Sequence, residues 1–347
     1  MNKRVVLVLV ILLALALFSQ AKGQEEIVGE EGKEVSQALP TQILYGSSAK
    51  QASSWFPAHV KMAELGDRGM EGTSVTVVFP GGSVIATQTV FDGEQHVAGG
   101  SMLALYEAFH GLGRWEGKPL PNRVRVLYYY TDCPNPIAVR ADKGIASVSD
   151  LKGGKVFLGY PGSTTHAQHL LAFDALGIDY EEYVGSLSDA VPAFKDRRID
   201  AYIKSTNGHG IDATHRDILT TTPLKFIGFT NSEVDKIQKK YERVKFIDFP
   251  VDWYDDFPME EPIKIVNYAL IVIARDDFPE ELAYQWTKSV VENWDEVGEV
   301  FPGAAAITPL DTPNLLLPEV YMHSGSIRYM RERGITIPQS AVPPEMK

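Results

Sequence analysis

The chain is short of cysteine, of positive charge and of long apolar runs. Cys133 is its one cysteine among 347 residues. An intramolecular disulfide and a cysteine-based zinc site are therefore both excluded. Stability must come from core packing. Lys and Arg together number 33 against 45 Asp and Glu, a formal charge of −12. A surface that acidic repels phosphate backbones, so a nucleic acid is not expected as a partner. A local field inside a pocket can still oppose the global one and admit a small anion. The only long apolar run is Val5–Phe18, short of the roughly 20 residues that span a bilayer. The motifs G-x-S-x-G, S-D-N and K-T-G are absent, as are internal repeats.

That single apolar run reads as part of a targeting segment. Lys3 and Arg4 precede it, and Ser19-Gln20-Ala21 places small residues at the −3 and −1 positions of a cleavage site. A signal peptide over 1–21 is expected, and with it export to the periplasm. Gln24 to Leu39 is rich in glutamate and glycine. It reads as part of a disordered acidic leader over 22–41.

From Gln42 onward, strand-like and helix-like segments alternate. Strand candidates are Ile43–Tyr45, Val75–Phe79, His96–Ala98, Val124–Tyr130, Lys155–Gly159, Ile199–Ile203 and the longest, Ile265–Ala274. Helix candidates are Ser53–Leu65, Thr165–Leu176 stopped by Gly177, Ser188–Arg197 capped by Ser188, and Glu280–Trp294. The last carries Leu282, Trp286, Val290 and Trp294 at helical spacing. The alternation predicts an α/β architecture with mainly parallel sheets.

Three places repeat one pattern: a strand, then glycine with Ser or Thr, then a helix. They are Leu44–Ser54, Val78–Val84 and Leu158–Thr165. Glycine lets backbone approach a ligand, the helix N-terminus offers N–H donors and partial positive charge, and hydroxyls add neutral donors. The set suits a carboxylate or another small anion. The strongest ligand candidates are Ser163, Thr164 and Thr165. Ser47, Ser48, Gln51 and Ser54 follow, with Gly82, Ser83 and Ser101 from neighbouring turns and Asn207 and His209 from the loop after Ile203. Lys50 is a candidate carboxylate partner and Trp55 a candidate wall, against the plainer readings of solvated lysine and core packing. Ser163 to Thr165 also fit an ordinary helix cap. His166 and His169 are spaced for joint metal binding but have no convincing third ligand. No metal and no cofactor is expected. In Tyr128–Tyr130 one face of the strand is placed to line a cleft, and packing is the plainer reading.

On these residues the chain resembles the TAXI class of TRAP-transporter solute-binding proteins. The resemblance runs from about Gln42 to Ile337. It rests on Gly81–Val84, Ile145–Val156, Pro161–Thr165, Ala190–Ala201, Thr221–Leu224 and Ala269–Leu282. The first loop, Ala49–Trp55, is poorer in glycine than the family's, and Asn207-Gly208-His209-Gly210 stands where the family has a Gly-His-Pro-type segment. The resemblance implies the two-lobed type II periplasmic-binding-protein fold with two crossing hinge strands, near Asn135–Arg140 and Ile265–Ala274. Lobe one is then 42–138 with 268–337, lobe two 139–267, and 338–347 a C-terminal tail. It implies a monomer that binds glutamate, 2-oxoglutarate or a C4/C5 dicarboxylate and delivers it to TRAP permease subunits, without enzymatic activity. Two alternatives stand beside it: an exported serine hydrolase using Ser47 and Lys50 as S-x-x-K, and a ligand-sensing adaptor for a membrane receptor.

Overall fold

The computed structural model describes residues 39–347 except 52, 207–212, 253, 255, 256, 258 and 306. The expected signal peptide, most of the leader, and Asn207 and His209 lie outside the described residues. In chain order the principal elements are β1 (Gln42–Gly46), α1 (Phe56–Gly69), β2 (Ser74–Val78), α2 (Ser83–Phe91), β3 (Val97–Ser101), α3 (Met102–His110), β4 (Val124–Asp132), β5 (Ile137–Arg140), β6 (Lys155–Phe157), α4 (Thr164–Leu176), β7 (Glu181–Glu182), α5 (Leu187–Lys195), β8 (Ala201–Ile203), α6 (Ala213–Leu219), β9 (Leu224–Ile227), α7 (Asn231–Lys240), β10 (Lys245–Phe249), β11 (Ile263–Asn267), β12 (Ala269–Arg275), α8 (Glu280–Glu292), α9 (Trp294–Val300) and α10 (Ser324–Glu332).

Two five-stranded sheets result. The first runs β2-β1-β3-β12-β4 and the second β7-β6-β8-β5-β9; β10 and β11 form a separate ribbon. β1 is parallel to β2 and β3, and β6 is parallel to β7 and β8. The expectation of mainly parallel sheets is corrected by β12, antiparallel to β3 and β4, and by β5, antiparallel to β8 and β9. Each returning strand enters its sheet from the other side of the molecule, so its direction is set by the crossing and not by a βαβ unit.

The chain passes from the first sheet to the second between Asp132 and Ile137 and comes back between β11 and β12. Ile265–Ala274, expected as one strand, is broken at Tyr268 because β11 pairs with β10 whereas β12 pairs with β3 and β4. The two crossing segments bond to each other: Asn135 N–H donates to the Val266 carbonyl at 2.9 Å and Cys133 N–H to that of Tyr268 at 2.9 Å.

Helix boundaries follow local chemistry. Ser186, not Ser188, caps α5, in a capping box with Asp189. Asn293 ends α8, so Trp294 opens the next helix instead of completing the stripe. Leu282, Trp286 and Val290 are buried as that stripe requires. Trp286 sits against Gly66 of α1, where a Cβ would stand 2.6 Å from the indole ring. Its Nε1–H donates to the Tyr128 hydroxyl at 3.1 Å. Thr41, expected in the leader, already accepts from Ser74 N–H at 3.0 Å. The C-terminal segment is packed down: Val342 is buried and Glu345 pairs with Arg125 at 2.8 Å. Among the described residues no helix is long and apolar enough to cross a membrane.

Candidate functional site

A cavity of about 790 Å³ opens between the two sheets. The first side supplies Ser48, Trp55, His59, Ser83, Tyr130 and Leu270, the second Phe157, Tyr160, Ser163, Val191, Ile203 and Lys204. Four helices of nine residues or more begin at this wall. Ser54 and Trp55 precede α1, Ser83 opens α2, Ser163 caps α4, and Ser186 caps α5. Each start contributes about half a positive charge at its end. Two starts come from each side of the cavity.

The individual hydroxyls have specific duties. Ser163 Oγ accepts from His166 N–H at 3.2 Å and donates to the Tyr160 carbonyl at 2.7 Å. Thr164 Oγ1 lies 2.8 Å from Ser83 Oγ and 2.7 Å from Ser101 Oγ, and Ser101 Oγ accepts from Ala104 N–H at 3.0 Å. These three hydroxyls form a buried chain that ties α4 to the starts of α2 and α3. Beside it, Val84 N–H donates to the Gly162 carbonyl at 3.3 Å. Gly82 stands at φ +115°, and a Cβ there would be 2.9 Å from that same oxygen. Thr165 Oγ1 donates to Asn135 Oδ1 at 2.8 Å and meets the Tyr268 hydroxyl at 2.8 Å, so it touches both crossing segments.

Of the sequence candidates, Ser48, Ser54, Ser83, Ser163 and Thr165 line the cavity together with Lys50 and Trp55; Ser47, Gln51, Gly82, Ser101 and Thr164 are not among its lining residues. Ser47 Oγ is fully buried, donating to the Ala49 carbonyl at 2.8 Å and accepting Ala49 N–H at 3.2 Å. Lys50 is exposed with its Nζ 5.9 Å from the Phe79 ring centre. The S-x-x-K pair thus has no serine–lysine contact.

Sequence reasoning missed His59. Its Nδ1 is 2.7 Å from the Tyr45 hydroxyl and its Nε2 is 3.1 Å from Ser48 Oγ. Nε2 also lies 3.5 Å from the Tyr130 hydroxyl, so Ser48 and Tyr130 share one ring nitrogen whose donor or acceptor role follows the tautomer. Burial holds His59 down at about 3, so it stays neutral. The signal for His59 was a polar residue on the apolar face of α1, between buried Ala58 and Met62.

Glu107 was also missed, a lone acid in the apolar helix MLALYEAFH. It is buried and pairs with Arg243 at 2.8 Å, with Gln168 Nε2 at 3.3 Å from the same oxygen. Burial pushes its carboxyl up, opposed by Arg243. Tyr160 O–H reaches across the cavity to the Ser48 carbonyl at 3.2 Å. Of the tyrosine run, Tyr130 lines the cavity while Tyr128 packs in the core. His166 binds Glu182 at 2.8 Å and His169 Nδ1 meets the Thr165 carbonyl at 2.8 Å. Among the described residues no group of three metal-ligating side chains occurs.

The sequence profile of the NMT1-like family matches residues 47–334. Solved structures with a similar fold include a Xanthomonas citri protein bound to ATP (11% identity, 84% of this chain and 95% of that one, TM-score 0.51). They also include the periplasmic binding protein BugD (13% identity, 75% and 85%, TM-score 0.51). A TctC solute-binding protein from Polaromonas matches at 15% identity over 75% and 86%, with a TM-score of 0.46. The architecture is the two-lobed type II fold of periplasmic binding proteins, and the chain belongs to the NMT1-like family.

Proposed function

We propose that this member of the NMT1-like family is an exported, periplasmic solute-binding subunit of a TRAP-type transporter of the TAXI class. It captures a small organic acid between two lobes, 42–138 with 268–337 and 139–267, and hands it to membrane permease subunits. No bond is made or broken. The observation that carries the reading is the convergence of four helix starts, two from each lobe, on one cavity of about 790 Å³. In a protein of charge −12, that convergence supplies locally the N–H donors and partial positive charge an anion needs. A ligand touching both lobes favours the closed arrangement by differential contact. Ser47 Oγ is bonded to Ala49 and not to Lys50, which favours binding over the serine–lysine hydrolase reading.

The test is a thermal-shift screen of organic acids, beginning with glutamate, 2-oxoglutarate and C4/C5 dicarboxylates. Binding to the folded state alone raises stability by RT ln(1 + [L]/Kd), about 2.7 kcal/mol at a hundredfold excess over Kd. The expected result is a melting temperature that climbs with acid concentration and does not move with the matching amide. Equal shifts by acid and amide contradict an anion site.

A further inference from the structure

We propose that Trp55 is a specificity-determining donor of the cavity, its indole N–H binding an oxygen of the ligand's carboxylate at the start of α1. The inference rests on the anion-binding reading and names where in that site the charge is held.

Two independent observations meet at this residue. The first is the indole itself. Trp55 lines the cavity, is only 7% exposed, and its Nε1 is buried without a hydrogen-bond partner. The other described tryptophans each have one. Trp115 Nε1–H donates to Gln88 Oε1 at 2.5 Å, Trp286 Nε1–H to the Tyr128 hydroxyl at 3.1 Å, and Trp294 Nε1–H to the Ala304 carbonyl at 3.0 Å. None of those three lines the cavity. The Trp55 ring packs on Phe301 with centroids 4.9 Å apart, a contact that holds the ring and offers its N–H no acceptor. An indole N–H can only donate, and a buried donor left unpaired costs more than a typical hydrogen bond returns. Among the described residues, no other side chain with a buried, unpartnered polar atom lines this cavity.

The second observation is the helix start. Of the four that reach the cavity, three are already engaged. Ser163 Oγ caps α4, Ser186 and Asp189 form the capping box of α5, and the first turn of α2 gives Val84 N–H to the Gly162 carbonyl. α1 begins at Trp55 with no side-chain cap and no acidic residue in its first turn. Its partial positive charge is therefore unopposed at the residue whose indole N–H is unpaired. A carboxylate oxygen there gains a charge-assisted hydrogen bond and the field of the helix together. An uncharged carbonyl gains the hydrogen bond and little from the helix, so the same position favours an acid over its amide.

The experiment is calorimetric titration of the purified full chain with glutarate, 2-oxoglutarate and glutamate. It is repeated on Trp55→Phe and on protein carrying benzothienylalanine at position 55, which keeps the ring shape and puts sulfur in place of the N–H. Affinity for the tightest of the three acids is expected to fall about ten- to a hundredfold in both, the worth of one hydrogen bond to a charged group. Melting of the ligand-free benzothienylalanine protein should not drop, because the group removed has no partner within the protein. The indole N–H resonance missing from Trp55→Phe should move downfield on saturation with the acid, and by more than those of Trp115, Trp286 and Trp294. Acid affinity within about twofold in both replacements, or a Trp55 resonance that stays in place at saturation, overturns this inference and leaves the anion site standing. No saturable binding of the three acids to the unmodified protein at millimolar concentration overturns both.

Discussion

Gly99 and His59 show how one residue makes room for another. A Cβ on Gly99 would collide with His59 Cε1, so the glycine gives the imidazole its place between Tyr45 and Ser48. Gly99→Ala is expected to displace the ring and cost about 1–3 kcal/mol, since the buried hydrogen bonds at Tyr45 and Ser48 are lost together. Chemical denaturation reads that change, and an unaltered midpoint contradicts it. Burial pulls His59 to about 3 and His169 and His323 to about 4, from 6.5. Each is neutral when folded and takes up a proton when unfolded below 6.5. The unfolded state then binds more protons, so stability is full above that value and drains away as pH falls toward 4. The slope reaches about 1.4 kcal/mol per pH unit for each fully titrating histidine. Urea midpoints should therefore fall as the pH is lowered from neutral through that window, and a flat profile contradicts the burial of these rings.

At the scale of elements, helix starts supply part of the contact between the second lobe and the first. The Ser83–Thr164–Ser101 chain joins three of them. Thr164→Val keeps the shape but removes the shared oxygen, leaving two buried serine hydroxyls without that partner. The expected cost is about 1–3 kcal/mol, read by thermal melting; Thr164→Ser should recover most of it. Arg243 reaches Glu107 of α3 from the segment after α7. Arg243→Leu leaves that carboxylate buried without its cation. It should favour an opened arrangement with a larger radius of gyration by small-angle scattering; an unchanged radius contradicts a latch role for the pair.

The glycine-serine turns were legible in the sequence because the signal is local: Gly81-Gly82-Ser83 and Gly162-Ser163-Thr164 each announce a helix start. Their mutual hydrogen bond was not legible, since Ser83 and Thr164 are 81 residues apart. The break at Tyr268 was hidden by an apolar pattern interrupted only by Asn267, and the change of pairing partner reveals it. The antiparallel direction of β5 and β12 was hidden for the same reason: strand pattern reports which face is buried, not which way the chain arrives.

For the whole molecule, the central physical point is a contrast of scales. Net charge is −12, yet helix starts and two lysines gather at one apolar-walled cleft between the lobes. Two sheets linked by two hydrogen-bonded crossings supply the means of opening and closing. Native mass spectrometry of the protein taken from its own compartment, followed by denaturation and identification of what is released, tests the account most directly. The account predicts one small organic acid per chain. A neutral or cationic compound released in equal stoichiometry would contradict it.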